Sequence, residues 1–64
     1  MKQVFINDYV LLFGKYEGVL IEIYVNDEVM IYSPAFNAEE PYVITSTDNI
    51  TAIDNQTQGI GLPN

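Results

Sequence analysis

Gly18-Val19-Leu20-Ile21-Glu22-Ile23-Tyr24-Val25-Asn26-Asp27-Glu28-Val29-Met30-Ile31-Tyr32 holds two apolar runs, rich in β-branched and aromatic residues, on either side of Asn26-Asp27. Such residues fit a pleated, half-buried strand, and Asn and Asp tolerate the left-handed backbone that a tight hairpin requires. The stretch therefore predicts a β-hairpin with a two-residue turn between Val25 and Glu28. Alternation assigns its faces: Val19, Ile21, Ile23 and Val25 share one side, Leu20, Glu22 and Tyr24 the other. The wholly apolar side is expected to face the core. Across the turn, Val29, Ile31 and Ser33 are set against Met30 and Tyr32.

Working outward, Asn7-Asp8, Gly14, Ser33-Pro34, Glu40-Pro41, Asp48-Asn49 and Gly59 punctuate the rest of the chain at short intervals. Short apolar runs between such breaks are an all-β pattern. Further strands are expected at Tyr9 to Phe13, Tyr42 to Thr45 and Ile50 to Ile53, with Ile50 and Ala52 opposed to Thr51 and Ile53. Met1 to Ile6 reads as an additional strand, with a short turn of helix as the alternative. Pro34 and Pro41 bracket a loop that cannot continue a central strand. Phe36 within it is either an anchor on the core or an exposed contact. The predicted organisation is one β-barrel domain over residues 1–54 and a polar, glycine-containing tail over 55–64.

Sixty-four residues bury only about 60% of the surface the unfolded chain exposes. Chains shorter than about 70–80 residues usually need a disulfide, a metal, exceptional packing or self-association. Cysteine and histidine are both absent, which removes disulfides and the usual zinc ligands and leaves only carboxylate and carbonyl oxygens for a hard cation. Self-association is the device most compatible with this composition. Five tyrosines fit it, since tyrosine suits partly buried interfaces; half-buried sheet residues exposing only their hydroxyls are the equal alternative. No apolar run reaches the length of a membrane span, and the N-terminus turns polar too soon for a signal peptide. A soluble, cytoplasmic protein is expected.

Nine acidic residues against Lys2 and Lys15 give a net charge of −7. Nonspecific nucleic-acid affinity comes mainly from Lys and Arg displacing counterions, so generic DNA binding is disfavoured. The charge either keeps a small protein soluble or imitates nucleic acid before a basic partner. Asp27-Glu28 and Glu39-Glu40 are adjacent in sequence and diverge on a strand, so no convergent pair of carboxylates is set up for acid–base chemistry. Gly59-Ile60-Gly61 lacks the strand-to-helix setting of a phosphate loop. No catalytic residue, metal ligand or cofactor is assigned, and the chain is expected not to be an enzyme.

A strand followed by Gly18 in a long second strand, the Asn26-Asp27 turn, an apolar strand, a variable loop, and Asp48-Asn49-Ile50-Thr51-Ala52-Ile53 resembles the Sm-like family over roughly residues 8–54. The outline is similar to SH3-like barrels as well. The resemblance implies a strongly bent five-stranded barrel and a homo-oligomeric ring of about five to seven copies. It also implies single-stranded RNA as ligand. Tyr24 stands where the family places an aspartate, and Ser46-Thr47 where it places Arg-Gly, so RNA contact would fall to Tyr24, Asn26, Ser46, Thr47 and Asn49 through stacking and hydrogen bonding. Two other readings stay open: an acidic, phage-type inhibitor mimicking nucleic acid on a host protein, and an SH3-like assembly module that contacts a protein partner.

Overall fold

The computed structural model describes residues 3–53. The expected tail at 55–64 lies outside the described residues. Five strands form in the order β1 (Tyr9–Leu12), β2 (Tyr16–Ile23), β3 (Glu28–Tyr32), β4 (Tyr42–Ser46) and β5 (Ile50–Ala52), with a 3-10 turn, Thr47–Asn49, between the last two. They build one antiparallel sheet ordered β4-β3-β2-β1-β5. The all-β architecture matches the sequence reading, as do the strand positions except in β2, which starts at Tyr16 and runs through Gly18 rather than starting after it. Of the additional strand expected over Met1 to Ile6, the described part is not extended into a ladder: Gln3 to Phe5 are irregular and Ile6-Asn7 make a turn.

The sheet is not closed into a barrel, contrary to expectation. Among the described residues, β4 pairs only with β3, and β5 only with β1. The physical reason lies in the link between them. β5 is three residues long, and a 3-10 turn rather than a hairpin precedes it, so no ladder register joins the two edges. That turn ties two other loops together instead: Thr47 N–H donates to the Asp27 carbonyl at 2.8 Å and Phe13 N–H to the Asn49 carbonyl at 2.7 Å. Ser46 caps it, its Oγ accepting from Asp48 N–H.

Both hairpins turn through left-handed backbone. Phe13 and Gly14 have φ of 55° and 68°, and Asn26 and Asp27 both have 62°. Positive φ at two successive central residues is the demand of a type I′ turn, which matches the strand twist. The Asn26-Asp27 turn is therefore where the sequence put it. The ladder, however, resumes at Tyr24, whose N–H donates to Glu28 O at 2.7 Å, and Val25 is left 79% exposed. Gly carries no steric cost at positive φ, whereas Asp does. Asp27→Gly is expected to raise stability by about 0.5–1 kcal/mol, read as a higher urea midpoint with unchanged slope.

The core is small: Val10, Leu12, Leu20, Val29, Ile31 and Ile50 are buried, with Val4, Tyr16 and Val43 packed against them. Val29, Ile31 and Ser33 share one face, the grouping expected from alternation, and that face is the buried one. In β5, Ile50 is buried and Ala52 exposed. β2 differs from its predicted faces. Leu20 is buried opposite Ile31, while Val19 lies opposite the outward Tyr32. The register then shifts between Leu20 and Glu22, which places Glu22 opposite Met30 and Ile23 opposite Val29. A bulge at Ile21 thus splits the apolar set: Val19 points out, and only Ile23 returns to the core side, at the sheet's margin.

Gly18 faces the interior at the point of closest approach. A Cβ there would meet Ile31 Cγ2 at 2.7 Å, the Tyr32 carbonyl oxygen at 2.9 Å and Ser33 Cβ at 3.0 Å. Ser33 is itself buried, and its hydroxyl donates to the Glu17 carbonyl at 2.7 Å, which holds the end of β3 against β2.

Candidate functional site

The five residues expected to contact RNA come together in part. Tyr24 follows β2, Asn26 sits in the β2–β3 turn, Ser46 ends β4 opposite Glu28, and Thr47 to Asn49 form the 3-10 turn. Because Tyr24 bonds Glu28, and Glu28 pairs with Ser46, one row runs from Tyr24 to Ser46 across three strands. The Thr47–Asp27 bond draws Asn26 to the same corner.

Most of the polar groups there are already engaged. Ser46 Oγ caps the 3-10 turn, Asn49 Nδ2 donates to Thr45 Oγ1 at 2.9 Å, and Thr47 is 4% exposed, too buried to reach a ligand. The Tyr24 phenol is pushed above its ordinary pKa, chiefly by its hydrogen bond with Glu22, then by partial loss of water and by the Glu22 charge. Its hydroxyl remains neutral to higher pH and stays directed at Glu22. Asp27, Glu28 and Asp48 complete an acidic corner. Lys15 is the sole Lys or Arg among the described residues, and its Nζ lies 5.3 Å from the centroid of the Tyr16 ring.

Phe36 is a surface residue that packs on other aromatic rings, and it is not among the residues packed against the core. Its ring packs edge-on against Tyr16 at 5.1 Å and tilted against Phe13 at 5.7 Å, yet it is 41% exposed. The proline-bracketed loop around it is held by Ser33 N–H donating to Pro41 O at 2.7 Å, and by the Asn37 side chain, which accepts from Glu39 and Glu40 N–H.

Two features were not singled out from sequence. One is the outward edge of β4. Ser33–Pro41 and Asp27–Thr47 are hydrogen-bonded positions on either end of the β3–β4 ladder, so strict alternation makes Ile31–Val43 and Val29–Thr45 bonded pairs as well. The N–H groups of Tyr42, Ile44 and Ser46 therefore point away from β3. Tyr42 and Ile44 are also highly exposed, and β4 carries no charge or proline to shield its edge.

The other feature is an open groove of about 220 Å³ on the outer face, where Tyr9, Tyr32 and Pro34 stand around Gly18 and Val19, with Glu17 and Ile53 at its margins. The abundance of tyrosine hinted at such a surface, but its location follows only from register. Among the described residues, no group of three or more His, Cys, Asp or Glu is placed to hold a metal ion, and no helix is long and apolar enough to cross a membrane. No family model, curated protein or solved structure matches the chain.

Proposed function

We propose that this chain is a non-enzymatic, Sm-like assembly module that forms a homo-oligomeric ring by pairing β4 of one copy with β5 of the next. The observation that carries this reading is the unshielded edge of β4, with three outward N–H groups and exposed Tyr42 and Ile44. An open sheet has a second edge, here β5, and a repeated heterologous contact between the two edges closes into a ring when the rotation per copy divides the circle. The small core supports the same reading, because association buries apolar surface that a chain this short leaves exposed. Sedimentation velocity of the full chain tests it.

Single-stranded RNA is the ligand that the Sm-like reading adds, with Tyr24 stacking on bases and Asn26 supplying its amide, while the Asn49 amide is partly taken up by Thr45. Glu22, Asp27, Glu28 and Asp48 make the phosphate term repulsive there, against Lys15 as the one Lys or Arg among the described residues. Salt screens repulsion as it does attraction. Binding of short oligouridine is therefore expected to strengthen as salt rises, opposite in sign to the counterion-release behaviour of basic RNA binders. Fluorescence anisotropy across a salt series reads that slope, and affinity that falls with salt would remove the base-stacking account.

A further inference from the structure

We propose that the groove on the outer face binds an arginine side chain presented by an extended segment of a basic partner protein. Tyr9 is paired across β1–β2 with Val19, and Val19 across β2–β3 with Tyr32. These three side chains form one row on the outer face. Directly paired side chains have Cβ atoms about 4.5–5.5 Å apart, so the two tyrosines rise about 10 Å from each other with the much shorter valine between them. That is a slot with aromatic walls and room for one planar group in contact with a ring.

The slot is braced and charged. Tyr42 packs against Tyr32 on the side away from Val19, ring centroids 5.4 Å apart. Tyr9 is 51% and Tyr32 39% exposed, leaving surface open to a ligand. Glu17 lies two residues before Val19 on β2 and so projects from the same face. Its backbone is held by the Ser33 hydroxyl. A carboxylate beside aromatic rings favours a cation, and Pro34 and Ile53 offer apolar surface to the methylene stem that carries one. Arginine fits better than lysine, because its flat guanidinium stacks on a ring while donating a forked pair of hydrogen bonds to a carboxylate. Lys15, the one described cation, does not line the groove. A net charge of −7 favours a basic protein over a nucleic acid as the bearer of the arginine.

Most of the groove lies on β1, β2 and β3, with Pro34 just after β3 and Ile53 just after β5; arginine recognition goes beyond ring assembly, and binding by a chain that stays monomeric would separate the two. The test is an NMR titration of the full chain with the acetylated, amidated peptide Gly-Pro-Arg-Pro-Gly, alongside the same peptide with citrulline for arginine. Proline keeps the probe extended. Saturable shifts at Glu17, Val19 and the Tyr9 and Tyr32 rings are expected with arginine, and binding about tenfold weaker with citrulline. Glu17→Gln, a surface change that leaves the core untouched, should cause a comparable loss, and Tyr9→Leu a similar one. Equal response to both peptides, shifts spread evenly over the acidic surface, or indifference to Glu17→Gln would overturn the proposal. So would shifts in the row that depend on protein concentration alone, or contacts into it from residues 54–64, which would identify a second copy or the chain's own end as the occupant.

Discussion

Gly18→Ala is expected to destabilise the fold by about 1–3 kcal/mol, the usual range for forcing one extra carbon into a packed site. A domain of this length has roughly 3–10 kcal/mol in total to lose. The position does not require glycine for a turn: Gly14 is the glycine at positive φ, and Gly18 lies within β2. It requires glycine for space. Ile31 is fully buried and stiff at its branched Cβ, the Tyr32 carbonyl at 2.9 Å from the added Cβ is backbone, and Ser33 is fixed by its bond to Glu17. Relief must therefore come from separating β2 from β3, which breaks ladder bonds. Gly18→Val, with two more carbons at the same contact, is expected to leave the chain unfolded at room temperature. Urea titration followed by circular dichroism reads both, and an alanine variant as stable as the parent would show that this close approach is not a constraint on the fold.

Ile44→Pro is expected to abolish self-association while leaving the protomer folded. Proline removes a backbone donor, and the donor at Ile44 points away from β3, so the β3–β4 ladder loses nothing. Residue 43 before it is already extended, as proline demands of its predecessor. The exposed isoleucine side chain is removed by the same change. Val43→Pro is the control, because Val43 N–H belongs to the β3 ladder and its loss should damage the fold itself. If assembly contributes to stability, the parent's melting temperature will rise with protein concentration and that of Ile44→Pro will not. Association that survives Ile44→Pro would move the interface elsewhere.

Strand positions were legible because the turn residues are explicit. Asn26-Asp27, Pro34, Pro41 and Asp48-Asn49 delimit runs whose β-branched and aromatic content admits little else. The two faces of β3 could be separated because its alternation is unbroken from Val29 to Ser33. β2 could not be read in the same way. Its most informative inward position is Gly18, which has no side chain to mark a face, and Glu22 makes the even-numbered side look solvent-facing throughout. The bulge at Ile21 resolves the conflict by turning Glu22 outward after Leu20 has already entered the core. Alternation alone cannot reveal an inserted residue, and the Val19 to Ile23 set was assigned to one side for that reason.

The corner holding Tyr24, Asn26 and Ser46 was brought together from the family outline, and backbone bonds between the turn and β4 place these residues near one another. That several of their side chains are consumed by capping, burial and hydrogen bonding was not legible, since it depends on which atoms meet after folding. The tyrosine slot needed the register of two hairpins at once. The β1–β2 ladder runs in even register, but the β2–β3 ladder departs from simple counting, at the Asn26-Asp27 turn and again at Ile21, so Tyr32 could not be aligned with Val19 and Tyr9 from spacing.

The central claim, that the open edge of β4 exists to pair with β5 of another copy, is tested most directly by the solution mass of the full chain. Sedimentation velocity over a wide concentration range should show one dominant species at about five to seven protomer masses, persisting on dilution. A sharp monomer boundary at every concentration would contradict it.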